Sequence, residues 1–504
     1  MWPILGLWAC TGGTVTDTST GVEPCAEPAI LGLTHTPGEH MVTEARFELT
    51  LAEPGAAWLT CTLDSDTTEV HLAESSQEAE QHVLVLQGLL PGSTYTCEVT
   101  AACAQGGRAS EVVVLDTDPL PEGLSELVHS RQPDLVDWNA YVLANDSRVC
   151  EGEDGAILIT DDQARIRWYH RIPEDLQIDI DVHHLPGEGI YYGGGWGTLT
   201  PRAEVPGLVR TLDYSGAETS LRLAPTFGLG FNHTSEPLAT GEQLSLTASE
   251  EGPDDAPWQG VGIELYDPAT DTVTWSWQSQ QAVDDGTLAA PESDGRNIWW
   301  ANALSLVDDG QAALVTTYRS GEIWKIDRAS GELVWRLGPD GDFALLTADG
   351  EPAEDADWFY IAHDPELTGD RLLVYDNGTG RPGVDFTRVV ELQLDETART
   401  ARIVWEWTES GWFDPITGDA DRLDNGNVLV TMGHCPCCTQ HGDGLDENLS
   451  AVIEVDPDTD EVIWRQDWVD ESRGVYRADK LDGCAIFANA ALCPSVAARV
   501  QALE

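Results

Sequence analysis

A repeated hairpin constrains this chain more than any other feature. Asp267-Pro-Ala-Thr-Asp-Thr-Val-Thr-Trp275 matches Asp327-Arg-Ala-Ser-Gly-Glu-Leu-Val-Trp335 and Asp456-Pro-Asp-Thr-Asp-Glu-Val-Ile-Trp464. In each, an Asp ends one strand, a polar turn follows, and a Trp stands in the next strand. Weaker copies run from Asp161 to Trp168, Asp213 to Leu221 and Asp395 to Trp405. Ahead of these hairpins lie strands announced by a Gly turn: HHLPGEGIYYGG, EPLATGEQLSLTA, LSLVDDGQAALVTT, PELTGDRLLVYDNG and DRLDNGNVLVTMG. Units recurring every roughly 50 to 70 residues predict a propeller whose blades are four-stranded antiparallel sheets. The expected fold is all-β, with a six-bladed β-propeller over residues 120–504. YRADKLDGCAIF is expected to pack beside the first or last blade.

Residues 24–119 read differently. ARFELTLAE, AAWLTCTLD, HVLVLQGL, STYTCEVTA and ASEVVVLD are short alternating strands separated by Gly, Pro, Ser and charged turns, the pattern of a small β-sandwich. Leu90-Pro91-Gly92-Ser93-Thr94-Tyr95 followed by Cys97-Glu98-Val99 resembles the fibronectin type III family. The resemblance implies that Tyr95 bonds back to the chain as a tyrosine corner, and that the unit is a spacer. DTDPLPEG reads as the linker out.

The 88 Asp and Glu against 26 Lys and Arg give a formal net charge of −62. Clustered cations are what a polyanion binds, so no nucleic-acid partner is expected. Hydrophobic residues at 41% and 19 Trp are nonetheless enough for a large core. There are eleven cysteines. Cys10 closes Leu7-Trp8-Ala9-Cys10 after a short apolar start, which resembles a bacterial lipoprotein signal. Residues 1–23 are then a signal remnant and acidic linker, with Cys10 the lipidated residue. The other ten cysteines are expected in disulfides, in an oxidising compartment. The protein is expected to be extracytoplasmic, held on the outer membrane or cell surface through Cys10, with the periplasm as the other location.

Propeller ligands bind on the central channel, so the residues heading each inner strand matter most. They read His183-His184, Asn232-His233, Trp300-Ala301-Asn302, His363-Asp364 and Ala420-Asp421. Histidine heads three of the five although the chain has only 12. Imidazoles far apart in sequence would converge there; each His alone could equally close a turn.

Three segments carry a further resemblance: Phe359-Tyr360-Ile361-Ala362-His363-Asp364 with its following LLVYDNG, Thr317-Tyr318-Arg319-Ser320-Gly321-Glu322-Ile323 running into WKIDRASGELVWRLG, and DRLDNGNVLVT. The chain resembles the bacterial arylsulfate sulfotransferases over roughly residues 130–480. The resemblance implies transfer of a sulfuryl group from a small-molecule aryl sulfate to a phenol acceptor through a transiently sulfated histidine, with no cofactor or metal. It implies His363 as nucleophile, Arg319 as oxyanion clamp and His233 as donor or proton carrier, with Trp300, Asn302 and His184 binding substrate. A neutral imidazole nitrogen can attack sulfur, and an arginine fork suits three spread oxygens. Where the family has His-x-Asn, this chain has Trp300-Ala301-Asn302, and an indole carries no basic nitrogen. A non-catalytic surface propeller that binds a ligand or protein is therefore the rival reading, and a quinoprotein-like dehydrogenase the third. His434-Cys435-Pro436-Cys437-Cys438-Thr439-Gln440-His441 could ligate zinc or copper, but disulfides are the expected use of its thiols.

Overall fold

The computed structural model describes residues 28–503 apart from 104–105, 125–128, 132–137, 147–154, 173–180, 195–207, 224–229, 253–257, 291–298, 300, 319, 434–449 and 470–472. Cys10, Trp300, Arg319 and the Cys435–Cys438 cluster thus lie outside the described residues.

After residue 120 the described strands form six sheets, each an antiparallel meander of four strands, in an all-β, propeller-like arrangement; Ala344–Leu346 adds a parallel edge beside Thr400–Trp407. Their inner strands are Asp181–Leu185, Gly230–Pro237, Ala301–Val307, Ala362–Thr368, Asp419–Arg422 and Ala478–Asp482. The first five inner strands pack together in that order, while Ala478–Asp482 meets Val428–Met432, the neighbour of the fifth, and returns to Asp181–Leu185. The ring is closed by the C-terminal end of the chain. Ala478–Asp482 pairs with Ala140–Asp146 and completes the first sheet from inside. His129–Arg131, from before that sheet, pairs with the outer strand Glu461–Trp468 of the last. YRADKLDGCAIF therefore supplies an inner strand, more than a neighbour to a blade.

The repeat now has a physical account. Each Asp ends the third strand of a sheet and folds its own hairpin, because Oδ1 accepts backbone N–H groups two to four residues on. Asp161 accepts from Gln163 and Arg165, Asp213 from Ser215, Asp267 from Ala269, Asp327 from Ser330, Asp395 from Thr397 and Asp456 from Asp458, at 2.8–3.0 Å. The outer-strand tryptophans join one sheet to the next. Trp168 Nε1 donates to Tyr214 O, Trp275 Nε1 to Arg328 O and Trp405 Nε1 to Asp460 Oδ1, each acceptor lying in the hairpin turn of the following sheet.

Residues 30–116 form one five-stranded antiparallel sheet around Phe47, Leu49, Leu59, Leu84, Tyr95 and Val99. ARFELTLAE and AAWLTCTLD do not form two strands; Ala45–Leu63 is continuous. Pro54-Gly55 produces irregularities of register instead of a turn, because Asp66–Leu86 pairs along both halves. Cys61 and Cys97 face each other across the sheet in a disulfide. Leu90 N–H donates to Tyr95 Oη at 2.8 Å, and that hydroxyl donates to Glu69 Oε1 at 3.2 Å. Tyr95→Phe would leave a backbone N–H and a buried carboxylate short of a partner, so a loss of about 1–3 kcal/mol in denaturant titration is expected. A loss below about 0.5 kcal/mol would show that the corner does not hold the turn.

This sheet is not on a free tether. Leu72 N–H donates to Ala488 O and Ala490 N–H to Val70 O, so the chain leaving the closing strand runs along it. Cys484 and Cys493 form a second disulfide in that stretch, and the Phe487 ring lies against Gly88, where a Cβ would come within 2.5 Å.

Candidate active site

Three of the six inner strands and the segment before the closing strand meet around two buried imidazoles. Ile361 (φ 57°) stands two residues before His363 and Asp364 (φ 41°) directly after it, while His233 itself has φ 54°. Such left-handed backbone is costly for residues with a Cβ and collects at functional sites. Tyr476 connects the two: its hydroxyl is 3.1 Å from His233 Nδ1, and its ring stands edge-on to His363 with centroids 6.2 Å apart. Burial pushes His363 down to about 3, helped by His233, and pushes His233 down to about 3, helped by Arg477. Both imidazoles are neutral at pH 7.

Neutral imidazole must choose a tautomer, and the partners of His363 choose it. Asn377 Nδ2 donates to Asp414 O and Thr417 O, both at 2.8 Å, which turns Asn377 Oδ1 toward His363 Nδ1 at 2.6 Å. Nδ1 therefore carries the proton, and Nε2 keeps its lone pair. Asn302 Nδ2 lies 3.2 Å from that Nε2 and 3.0 Å from Ala362 O, and its Oδ1 accepts from Thr316. The Tyr-Asp-Asn-Gly run Tyr375–Gly378 holds the arrangement. Asp376 accepts from Tyr360 N–H at 2.8 Å and from Arg388 Nε at 2.8 Å. Gly378 (φ 75°) lies so close to Phe386 O that a Cβ would come within 1.9 Å.

A family model described as arylsulfotransferase (ASST) matches residues 129–477, well over half of the chain. The chain belongs to the arylsulfotransferase family. It is 25% identical over 170 residues to arylsulfate sulfotransferase AssT of Escherichia coli O6:H1, a match spanning 28% of this chain and 28% of that relative. Among solved structures, a periplasmic gluconolactonase of Pseudomonas aeruginosa aligns with TM-score 0.36 and 12% identity, over 68% of this chain and 99% of the other. The Cps50 (Swd1) β-propeller domain of Myceliophteria thermophila aligns with TM-score 0.34 and 12% identity, over 68% and 98%. Likenesses this low carry no argument.

Of the residues singled out from sequence, the fold brings His233, Asn302 and His363 together. His184 is not with them: its Nε2 bonds Tyr214 Oη at 2.8 Å. Its neighbour His183 lines a separate cavity of about 390 Å³. Asp181, Glu236, Asp364, Asp419, Asp421 and Asp479 surround that cavity, and Arg477 reaches into it. Arg477 Nη1 is 3.3 Å from Asp181 and Nη2 is 3.2 Å from Thr234 Oγ1. Burial, then the charge of Asp364, raises Asp419 and Asp421 well above the usual carboxylate range. Burial alone would lower His183, but Asp181 outweighs it and lifts the imidazole to about 9. Asp364, Asp419 and Asp421 each turn one ligand atom to within 4.8 Å of the others, a spacing open to a hard cation. Sequence reasoning placed Asp364 and Asp421 at strand heads but missed Tyr476, Arg477 and the rest of this ring of carboxylates, and gave Asn377 of the LLVYDNG run no role. Tyr476-Arg477 heads the sixth inner strand, and ADKLDG repeats the shape of ADRLDNG at the fifth, so a signal was there.

Proposed function

We propose that the protein is an extracytoplasmic aryl-sulfate sulfotransferase that works by two successive transfers through His363. His363 Nε2 attacks the sulfur of a phenolic sulfate; the S–O bond to the ring breaks and the phenolate leaves with its electron pair. A second phenol then attacks the sulfo-histidine, the N–S bond breaks, and the phenolic proton passes to a base. The observation that carries this reading is the Asn377–His363 bond of 2.6 Å, which supports a neutral ring with its lone pair on Nε2. Asn302, 3.2 Å from that nitrogen, is suited to donate to a sulfuryl oxygen as charge builds. Arg319 is proposed as the oxyanion clamp and His233 as the proton carrier, with Trp300 stacking against the aryl ring. The cavity beside Arg477 offers an aryl sulfate mostly carboxyl groups, so the donor is proposed to arrive at the two imidazoles instead. The disulfides Cys61–Cys97 and Cys484–Cys493 suit an oxidising compartment, and Cys10 is proposed as the lipid anchor.

The test is a burst. Mixing the protein with p-nitrophenyl sulfate alone should release one equivalent of nitrophenolate and leave one sulfuryl group on the peptide containing His363; adding phenol should start turnover. No burst and no acceptor-dependent release would end this reading.

A further inference from the structure

The contacts of Tyr476 decide more than its own position. Its hydroxyl donates to the backbone carbonyl of Asn302 at 3.2 Å. A carbonyl only accepts; with the hydroxyl hydrogen on it, the Tyr476 oxygen is left to accept from His233 Nδ1 at 3.1 Å. Nδ1 of His233 then bears the proton. Tyr476 is buried, 4% exposed, and is held from behind: its N–H and that of Arg477 both donate to Asn145 Oδ1, at 2.9 and 3.2 Å. These bonds fix the backbone from which the phenol projects, and burial limits where its ring can turn.

We propose that Tyr476 is a positioning residue that locks His233 as the Nδ1–H tautomer, so that Nε2 takes the proton from the acceptor phenol in the second transfer. This rests on the sulfuryl-transfer reading and assigns the base within it. When Nε2 takes that proton, the new imidazolium donates from Nδ1 to the Tyr476 oxygen, whose own hydrogen points to the Asn302 carbonyl. The chain of two hydrogen bonds is aligned to offset part of the penalty that burial and Arg477 place on that charge, and nothing has to turn over. The proton then leaves with the phenolate of the next cycle or to water. Without the Tyr476 hydroxyl, imidazole returns to the Nε2–H form, which offers the phenol a donor where a base is needed. The first transfer from p-nitrophenyl sulfate should feel little of this, because nitrophenolate leaves without protonation.

Nitrogen-15 NMR of histidine-labelled protein at pH 7 reads the tautomer directly, with the His233 signals assigned by their loss in His233→Gln. The wild type should show protonated Nδ1 and bare Nε2 at His233, and Tyr476→Phe should reverse them while His363 keeps its Nδ1 proton. In the same variant the nitrophenolate burst should stay within about twofold, and turnover with phenol should fall about 10- to 100-fold. A wild-type His233 protonated at Nε2, or a tautomer unmoved in Tyr476→Phe, overturns the proposal whatever the activity. Burst and turnover falling together would also overturn it, since a merely structural role gives that result. A wild type with no burst defeats the sulfuryl-transfer reading, and the base assignment falls with it.

Discussion

Replacing His363 with alanine is expected to cut nitrophenolate release by about 10⁴-fold or more, the scale seen when a covalent nucleophile is removed. No second base can substitute, because the attacking atom must form and then surrender a bond to sulfur at one place. Two companion measurements separate chemistry from packing. His363→Ala leaves a hole the size of an imidazole, so added imidazole should restore part of the burst without appearing as protein-bound sulfate. Asn377→Leu keeps the His363 ring but removes the acceptor for its Nδ1 proton. Its release should fall roughly 10²- to 10⁴-fold, by the arithmetic of a wrong tautomer. Release unchanged in His363→Ala would sink the assigned nucleophile.

What was legible in the sequence was local. Asp267, Asp327 and Asp456 fold their own turns within a few residues, so the repeat could be read as hairpins without any tertiary knowledge. The Gly-turn strands were legible for the same reason. Ring closure was not, because Ala478–Asp482 finds its partner Ala140–Asp146 more than three hundred residues away, and only that pairing makes Tyr476-Arg477 the head of an inner strand. The acidic cavity was hidden by the same geometry. Each of several inner strands contributes a carboxylate or two, and singly these look like solvated turn residues in a chain with 88 Asp and Glu. Pro54-Gly55 misled in the other direction: as a dipeptide it signals a turn, yet pairing on both sides of it carried the strand through.

The largest expected effect on stability lies at Arg167, which the sequence shows only as one of two arginines in an alternating strand. Its guanidinium is 1% exposed and donates to both oxygens of Glu69 at 2.6 and 2.8 Å, to Asp161 at 2.7 Å and to Gly88 O at 3.0 Å. Glu69 and Gly88 belong to the N-terminal sheet, while Asp161 is the turn-forming Asp of the first propeller sheet. Arg167→Met would keep most of the volume and leave two buried carboxylates facing each other. A loss of about 3–5 kcal/mol is expected, read in denaturant, with the N-terminal sheet melting separately from the rest in calorimetry. Adding Glu69→Gln to Arg167→Met should restore part of it, because one stranded charge is removed. Acid gives an independent check. Burial alone would raise Glu69, but the hydrogen bonds from Arg167 and His71 hold it well below its ordinary 4.5. A carboxyl depressed in the folded state contributes stability that is complete above the unfolded pKa and lost as pH falls below it. The wild type should therefore weaken progressively below about pH 4.5, and Arg167→Met should have a shallower acid limb, having already lost that contribution at neutral pH. A loss under about 1 kcal/mol, or an acid limb identical to that of the wild type, would mean that the two units are joined chiefly by the C-terminal stretch around Phe487 and Ala490 instead.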